Sequence, residues 1–168
     1  ITVWSLPLVN FTVNTPVTCL NDTILFKSNI TLGSAPITQY AWGFGNGVAS
    51  SMPIAHYSYN TTGSYTITLV VQDSNGCTAN LSRPSYVNVF HAPVAAFTAS
   101  PSSSCASSQL VNFTDHSTST GGGLFYFWNL DNGVTSNSVN PSHVYQQETF
   151  TAKLTVTDTN GCKSTASQ

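Results

Sequence analysis

Hydrophobic and polar residues alternate with a period of two over long stretches. Tyr65, Ile67, Leu69 and Val71 are interleaved with Thr66, Thr68, Val70 and Gln72. Phe150, Ala152, Leu154 and Val156 are interleaved with Thr151, Lys153, Thr155 and Thr157. Period two puts successive side chains on opposite faces, so each stretch predicts a strand with one face buried and a threonine-rich face in water. No segment carries the 3.6-residue period of a helix. Asn46-Gly47, Asn75-Gly76, Asn132-Gly133 and Asn160-Gly161 punctuate the pattern. Both residue types tolerate positive φ, so each pair predicts a type I′ turn or a similar tight hairpin. Short strands, regular turns and no helix predict an all-β fold of sandwich type.

The pattern occurs twice. Pro7, Cys19, Trp42 and Tyr59 return 86 residues later as Pro93, Cys105, Trp128 and Tyr145. After a one-residue slip the offset becomes 85, matching Leu69 with Leu154, Asp73 with Asp158 and Cys77 with Cys162. A repeat of this length is one folding unit duplicated in series. It predicts two domains, residues 7–91 and 92–168, joined through Phe90-His91-Ala92-Pro93 without a Gly/Ser spacer. Pro93 fixes its own φ and restricts Ala92, so the junction is expected to be stiff.

The ends of the repeat are out of step. Unit one runs past Cys77 to Tyr86-Val87-Asn88-Val89-Phe90, whereas the second repeat has no counterpart of that strand before Gln168. Residues 1–6, Ile1-Thr2-Val3-Trp4-Ser5-Leu6, precede Pro7 as Val87 to Ala92 precede Pro93. They read as the last strand of a preceding unit. Two explanations stand. The chain is a window cut from a longer array, or this strand completes the second unit of a neighbouring copy and builds a head-to-tail filament. Ile1, Val3, Trp4 and Leu6 are the candidate assembly contacts.

Composition narrows the setting. Only 6% of the residues are charged, against roughly 25% in ordinary soluble domains. The net charge of -2, with Lys27, Arg83, Lys153 and Lys163 scattered along the chain, argues against a nucleic-acid partner. No apolar run approaches the ~18 residues of a membrane span, so no membrane insertion is expected. No signal-like segment opens the chain, and a fragment or processed product is the expectation. The four cysteines fall two per repeat, Cys19 with Cys77 and Cys105 with Cys162. An even count with one pair per unit predicts one disulfide in each domain and an oxidising, extracellular location. Metal binding is the alternative reading, without C-x-x-C or paired-histidine spacing to support it.

The motifs resemble a family. Trp42-Gly43-Phe44-Gly45-Asn46-Gly47 and Trp128-Asn129-Leu130-Asp131-Asn132-Gly133 resemble the W-D-F-G-D-G segment of PKD domains. Asn140-Pro141-Ser142-His143-Val144-Tyr145 is similar to that family's N-P-x-H-x-Y stretch. Gly63-Ser64-Tyr65-Thr66-Ile67-Thr68-Leu69-Val70-Val71 is similar to its G-x-Y-x-V-x-L-x-V strand. Asp73-Ser74-Asn75-Gly76-Cys77 resembles the D-x-x-G-C ending of cysteine-paired PKD repeats in large bacterial surface proteins. The resemblance covers nearly the whole chain and implies tandem Ig-like β-sandwiches in an extracellular setting. Such modules serve as spacers and adhesion repeats, and as accessory domains of secreted proteases and polysaccharide-degrading enzymes. The acidic positions that help some members bind calcium are Gly43, Asn46, Asn129 and Asn132 here, which leaves Asp131 as the only carboxylate in either loop; no cofactor is expected.

Candidate chemistry is sparse. Trp42 and Trp128 are expected in the core, packed against the disulfides, and Tyr59 and Tyr145 as corner-tying tyrosines. His143 reads as a hydrogen-bonded structural residue, and Asp73 and Asp158 as turn caps. No catalytic residues are identified, since nothing pairs a nucleophile with a positioned base. The function expected is a non-catalytic structural and adhesive repeat segment. Its partners would be neighbouring repeats, identical subunits or surface polysaccharide. The alternative is a carbohydrate- or substrate-binding accessory region of a secreted hydrolase, for which Tyr40, Trp42, Phe125, Tyr126 and Phe127 form the cluster of interest. Phe125 and Phe127 fall on one side of their strand, with Tyr126 and Trp128 on the other.

Overall fold

A computed structural model describes residues 2–131, 133–146 and 148–168. It is all strand and loop, with no helix among the described residues. Two compact units divide the chain, Ile1–Phe90 and His91–Gln168. Ile1, one of the four candidate assembly residues, and Asn132, of the third Asn-Gly pair, lie outside the described residues.

The first unit contains β1 (Leu8–Val13), β2 (Val17–Cys19), β3 (Thr23–Thr31), β4 (Ile37–Gly43), β5 (Ala49–Ser50), β6 (Ile54–Ser58), β7 (Gly63–Asp73) and β8 (Thr78–Phe90). One sheet runs β1-β3-β6 and the other β2-β8-β7-β4-β5. Every neighbouring pair is antiparallel except β2, which lies parallel to the end of β8. Alternation works as the sequence pattern implies. Tyr65, Ile67, Leu69 and Val71 point inward and are buried, while Thr66 and Val70 face out. Phe11, Ile24, Phe26, Trp42, Val87 and Val89 close the core from the facing strands.

The second unit contains β9 (Phe97–Ser100), β10 (Ser108–Asp115), β11 (Leu124–Asn129), β12 (Thr135–Ser136), β13 (Ser142–Gln146), β14 (Lys153–Asp158) and β15 (Lys163–Ser167). Its sheets run β13-β10-β9 and β12-β11-β14-β15. Phe113, Trp128, Leu130, Leu154 and Val156 form its core. β7 starts at Gly63 because β8 pairs with it there, Gly63 with Val89 and Tyr65 with Val87. β14 starts only at Lys153, and Thr149 and Phe150 before it belong to no strand. A strand needs a hydrogen-bonded neighbour, and β15 ends at Ser167, across from Lys153.

Two of the Asn-Gly turns, Asn75-Gly76 and Asn160-Gly161, are tight hairpins as expected, though not of type I′. At Asn75-Gly76 and Asn160-Gly161 only glycine takes positive φ, at 82° and 87°. A type I′ turn needs it at both central residues. The amides of Gly76 and Gly161 donate to the carbonyls of Asp73 and Asp158, and Asp73 N and Asp158 N donate to Cys77 O and Cys162 O. This is a type I turn closed by a left-handed glycine, the three-residue hairpin loop with a bulge.

The cysteine pairing also needs correction. Cys77 and Cys105 carry free thiols, so neither Cys19–Cys77 nor Cys105–Cys162 is bonded. Cys19 and Cys162 are in the disulfide-bonded state. Strand length gives the physical reason. Cys19 sits opposite Phe90, at the far end of β8, while Cys77 immediately precedes Thr78 at its start. Thirteen residues of strand separate them by roughly 40 Å at ~3.3 Å each, against a disulfide Cα separation of about 6 Å. In the second unit Cys162 lies at the start of β15, while the neighbours of Cys105, Ser104 and Ala106, line a cavity with Gln168 beyond its other end. Equal spacing in sequence reflected the repeat, and each unit carries its two cysteines at opposite poles.

Candidate functional site

The repeated aromatic and acidic residues serve the fold. Trp42 and Trp128 are 1% and 0% exposed, which removes them as sugar platforms. The indole Nε1–H of Trp42 donates to Met52 O at 2.9 Å, and that of Trp128 to Ser138 O at 2.9 Å. The in-unit disulfides expected behind these rings are not formed. Trp42 packs edge-on against Phe11 at 5.3 Å and Phe26 at 5.9 Å; Trp128 packs edge-on against Phe97 at 4.9 Å and tilted against Phe113 at 5.4 Å. These are the offset and edge geometries that the ring quadrupole favours. Tyr59 Oη donates to Phe44 O at 2.9 Å and Tyr145 Oη to Leu130 O at 2.8 Å, each reaching back 15 residues. Burial pushes the Tyr59 phenol well above its ordinary pKa, helped by Tyr57 and Tyr65. Burial raises Tyr145 too, followed by the Asp131 charge. The His143 ring stands edge-on to Tyr145 at 4.6 Å.

Asp73 and Asp158 are each 2% exposed. One oxygen, Oδ1, accepts two backbone N–H groups: Asn75 and Cys77 in the first unit, Asn160 and Cys162 in the second, all at 2.9 Å. Their Oδ2 atoms are buried without a hydrogen bond among the described residues. The Asp131 carboxylate accepts the Thr151 amide at 3.1 Å. Among the described residues no group of three or more His, Cys, Asp or Glu could hold a metal ion.

Two surfaces remain. The first surrounds a cavity of about 370 Å³ in the second unit, lined by Phe113, Tyr145, Phe150 and Ala152, with Ser103 and Glu148 at its sides. By the repeat these flanks correspond to Val17 and Gly63, between which Asn88 and Val89 run in the first unit. Val87 and Val89 are there 0% and 2% exposed. Of the proposed assembly strand, Val3, Trp4 and Leu6 are exposed and in no strand, and Ser5 N donates to Ser34 Oγ at 2.8 Å.

The second surface is the outer face of the β12-β11-β14-β15 sheet. Phe125 and Phe127 are 66% and 51% exposed, while Tyr126 and Trp128 turn inward. Tyr40 is half-buried and Trp42 buried, so the five-residue aromatic cluster resolves to these two phenylalanines. The strand pairing aligns three rows across the face: Phe125 with Thr157 and Lys163, Phe127 with Thr155 and Thr165, and Asn129 with Lys153 and Ser167. Thr155 Oγ1 and Thr165 Oγ1 lie 3.3 Å apart, which fixes their shared side. Lys153 and Lys163 are exposed. The description of the basic residues as scattered therefore fails for these two. The hairpin about Asn160-Gly161 brings them onto one face with both exposed phenylalanines. The turn and the period-two rule carried that information, because residues equidistant from the turn share a face, as Thr157 and Lys163 do, and so do residues an even number apart on one strand, as Lys153 and Thr157 are. The sole carboxylate of these four strands, Asp158, points into the core.

Comparisons place these features in a family. The model of the PKD domain matches residues 4–89 and again 90–168. A collagenase, ColA of Bacillus cereus, is 45% identical over 42 residues, which is 24% of this chain and 4% of that protein's length. The PKD1 domain of Vibrio anguillarum Epp is 30% identical over 52% of this chain and 99% of its own, with a TM-score of 0.45. The fibronectin(III)-like modules of Clostridium thermocellum CbhA are 14% identical, cover 94% of this chain and 91% of their own with a TM-score of 0.51, and share the sandwich fold. With both copies of the repeat matched end to end, the chain belongs to the PKD-domain family and carries that domain twice in tandem.

Proposed function

We propose that the chain is a pair of non-catalytic spacer repeats of an extracellular protein, presenting its surface away from the parent's other parts. The observation that carries this reading is what the repeated residues do. Trp, Tyr and Asp recur in both units, and each is buried and hydrogen-bonded to backbone inside its own unit. A duplicated binding or catalytic site would instead repeat exposed polar groups. The local similarity to a collagenase supports an accessory role. The test is a distance measurement by single-molecule fluorescence between fluorophores fused at the two ends. A narrow distribution is expected, and one as broad as that of a Gly/Ser chain of equal length would overturn the spacer role.

A second reading, assembly of copies by strand addition, is favoured by the cavity that corresponds to the place of Val87 and Val89. Residues 1–6 repeat the pattern of Val87 to Ala92, so Val3 of a second copy stands where Val89 does. Light scattering on the chain with and without residues 1–6 tests it. Polymers that vanish on truncation support assembly, and equal monomers from both chains refute it.

A further inference from the structure

We propose that the outer face of the β12-β11-β14-β15 sheet binds an acidic polysaccharide, a chain of sugars bearing carboxylate or sulfate groups. Phe125 and Phe127 stack on the sugar rings, and Lys153 and Lys163 pair with the anionic groups. This goes beyond the spacer role and does not depend on it.

Four observations converge. First, two phenylalanines two residues apart on one strand, roughly 7 Å along it, are more than half exposed. Exposed large apolar groups clustered in this way mark interaction surfaces. Second, the strands around them present hydroxyls: Thr155, Thr157, Thr165 and Ser167 share the face. A flat, hydroxyl-lined sheet with aromatic rings matches a sugar, which has apolar C–H faces and a rim of hydroxyl groups. Third, the charges that the strands themselves turn outward are of one sign, with Asp131 beyond the end of β11 held by the Thr151 amide. Lys163 lies two strands from Phe125, roughly 10 Å, and Lys153 occupies the next row but one. No carboxylate of these strands shares the side. Two of the four basic residues of the whole chain are gathered here, while the net charge of -2 would repel a polyanion from the molecule at large. Attraction to a polyanion must therefore be local.

Fourth, the fold does not require these residues. The first unit has the same sheet in the same register, and its three rows read Gln39 with Gln72 and Thr78, Ala41 with Val70 and Asn80, and Gly43 with Thr68 and Ser82. Glutamine and alanine stand where the second unit has phenylalanine, and threonine stands where it has lysine. One unit thus holds the same strands without aromatic ring or cation, and the other adds all four to one side.

The experiment is affinity electrophoresis and calorimetry of the whole chain with polygalacturonate, with a neutral β-glucan as control. The variants take the residues of the first unit at matched positions, F125Q/F127A and K153T/K163T, so that the sheet is kept; circular dichroism checks the fold. Wild type is expected to be retarded by polygalacturonate, with binding weakening as salt rises. Each double variant is expected to lose at least tenfold in affinity, and the lysine variant to lose the salt dependence as well. Installing the four residues in the first unit, as Q39F/A41F/T68K/T78K, should add a second site. Equal retardation of wild type and both variants would overturn the proposal. So would equal binding of the neutral glucan with no effect of K153T/K163T. Self-association abolished by F125Q/F127A without any polysaccharide binding would overturn it too, by making a second copy the occupant. None of these results alters the end-to-end distance on which the spacer reading is tested.

Discussion

Replacing Asp158 separates an acceptor from a charge. Its Oδ1 takes two amides, Asn160 N and Cys162 N, at 2.9 Å each, in a residue 2% exposed. In Asp158→Ala the buried Cys162 N and the part-buried Asn160 N lose their partner, and an orphaned buried polar group costs about 1–3 kcal/mol, which for the part-buried one is an upper bound. Two of them give about 2–6 kcal/mol, a large share of the ~5–15 kcal/mol that holds a domain together. For a unit of this size each kcal/mol lowers Tm by about 4–8 °C, so the second transition should fall by tens of degrees or vanish. Asp158→Asn keeps an acceptor at Oδ1. It also removes a charge whose other oxygen is buried without a hydrogen bond. The new amide N–H group stands where that oxygen lay, so the cost of the substitution should be about 1–3 kcal/mol, below that of Ala. Calorimetry on wild type and the two variants decides. If Asn destabilises as much as Ala, the charge and not the acceptor geometry holds the turn, and the reasoning fails. Asp73→Ala and Asp73→Asn should repeat the contrast in the first unit, where Oδ1 accepts from Asn75 and Cys77.

Other outcomes follow from the same structure. Tyr59→Phe removes one buried hydrogen bond to Phe44 O and should cost about 1–2 kcal/mol, seen as a lower urea midpoint. Because burial raises the Tyr59 pKa in the folded state, its neutral form contributes stability that is present below the unfolded value near 10 and is lost as pH rises above it. Wild type should therefore lose more stability than Tyr59→Phe between pH 9 and 11 on a set of urea titrations, and parallel losses would refute this. Without reductant, a maleimide should modify two of the four cysteines, Cys77 and Cys105; mass spectrometry showing no adduct would restore the in-unit pairing. Gly45 and Gly47 both have positive φ, 82° and 86°, but a Cβ on Gly45 would lie 2.7 Å from Thr66 O while one on Gly47 meets nothing within 4 Å. Gly47→Ala should cost about 1 kcal/mol from backbone strain alone, and Gly45→Ala clearly more by thermal unfolding.

The cysteines and lysines show where reading along the chain stops. Matching spacings of Cys19 to Cys77 and Cys105 to Cys162 are a property of the repeat, and the same spacings result whether a pair is bonded or sits at opposite ends of a strand. The decisive quantity, the length of β8 between Phe90 and Thr78, exists only once Cys19 is known to lie beside Phe90. Lys153 and Lys163 looked dispersed because ten positions separate them, yet the hairpin folds them onto adjacent strands, four residues apart in register. That inference was open to sequence reasoning, since the turn and the alternation were both recognised. Phe125 and Phe127 were assigned to a common side correctly, but which side faced water depended on where the second sheet lay.

Local chemistry therefore settled most of the strands, the places of the turns, the duplication and the family, because side-chain alternation, glycine's freedom at positive φ and internal repetition are properties of neighbours in the chain. The tertiary structure alone decided which cysteines are free, that Tyr126 turns inward while Phe125 and Phe127 face water, and that the side they share with the two lysines is the outer one. Those facts depend on the pairing of strands distant in sequence, where a shift of one residue would turn every side chain to the opposite side.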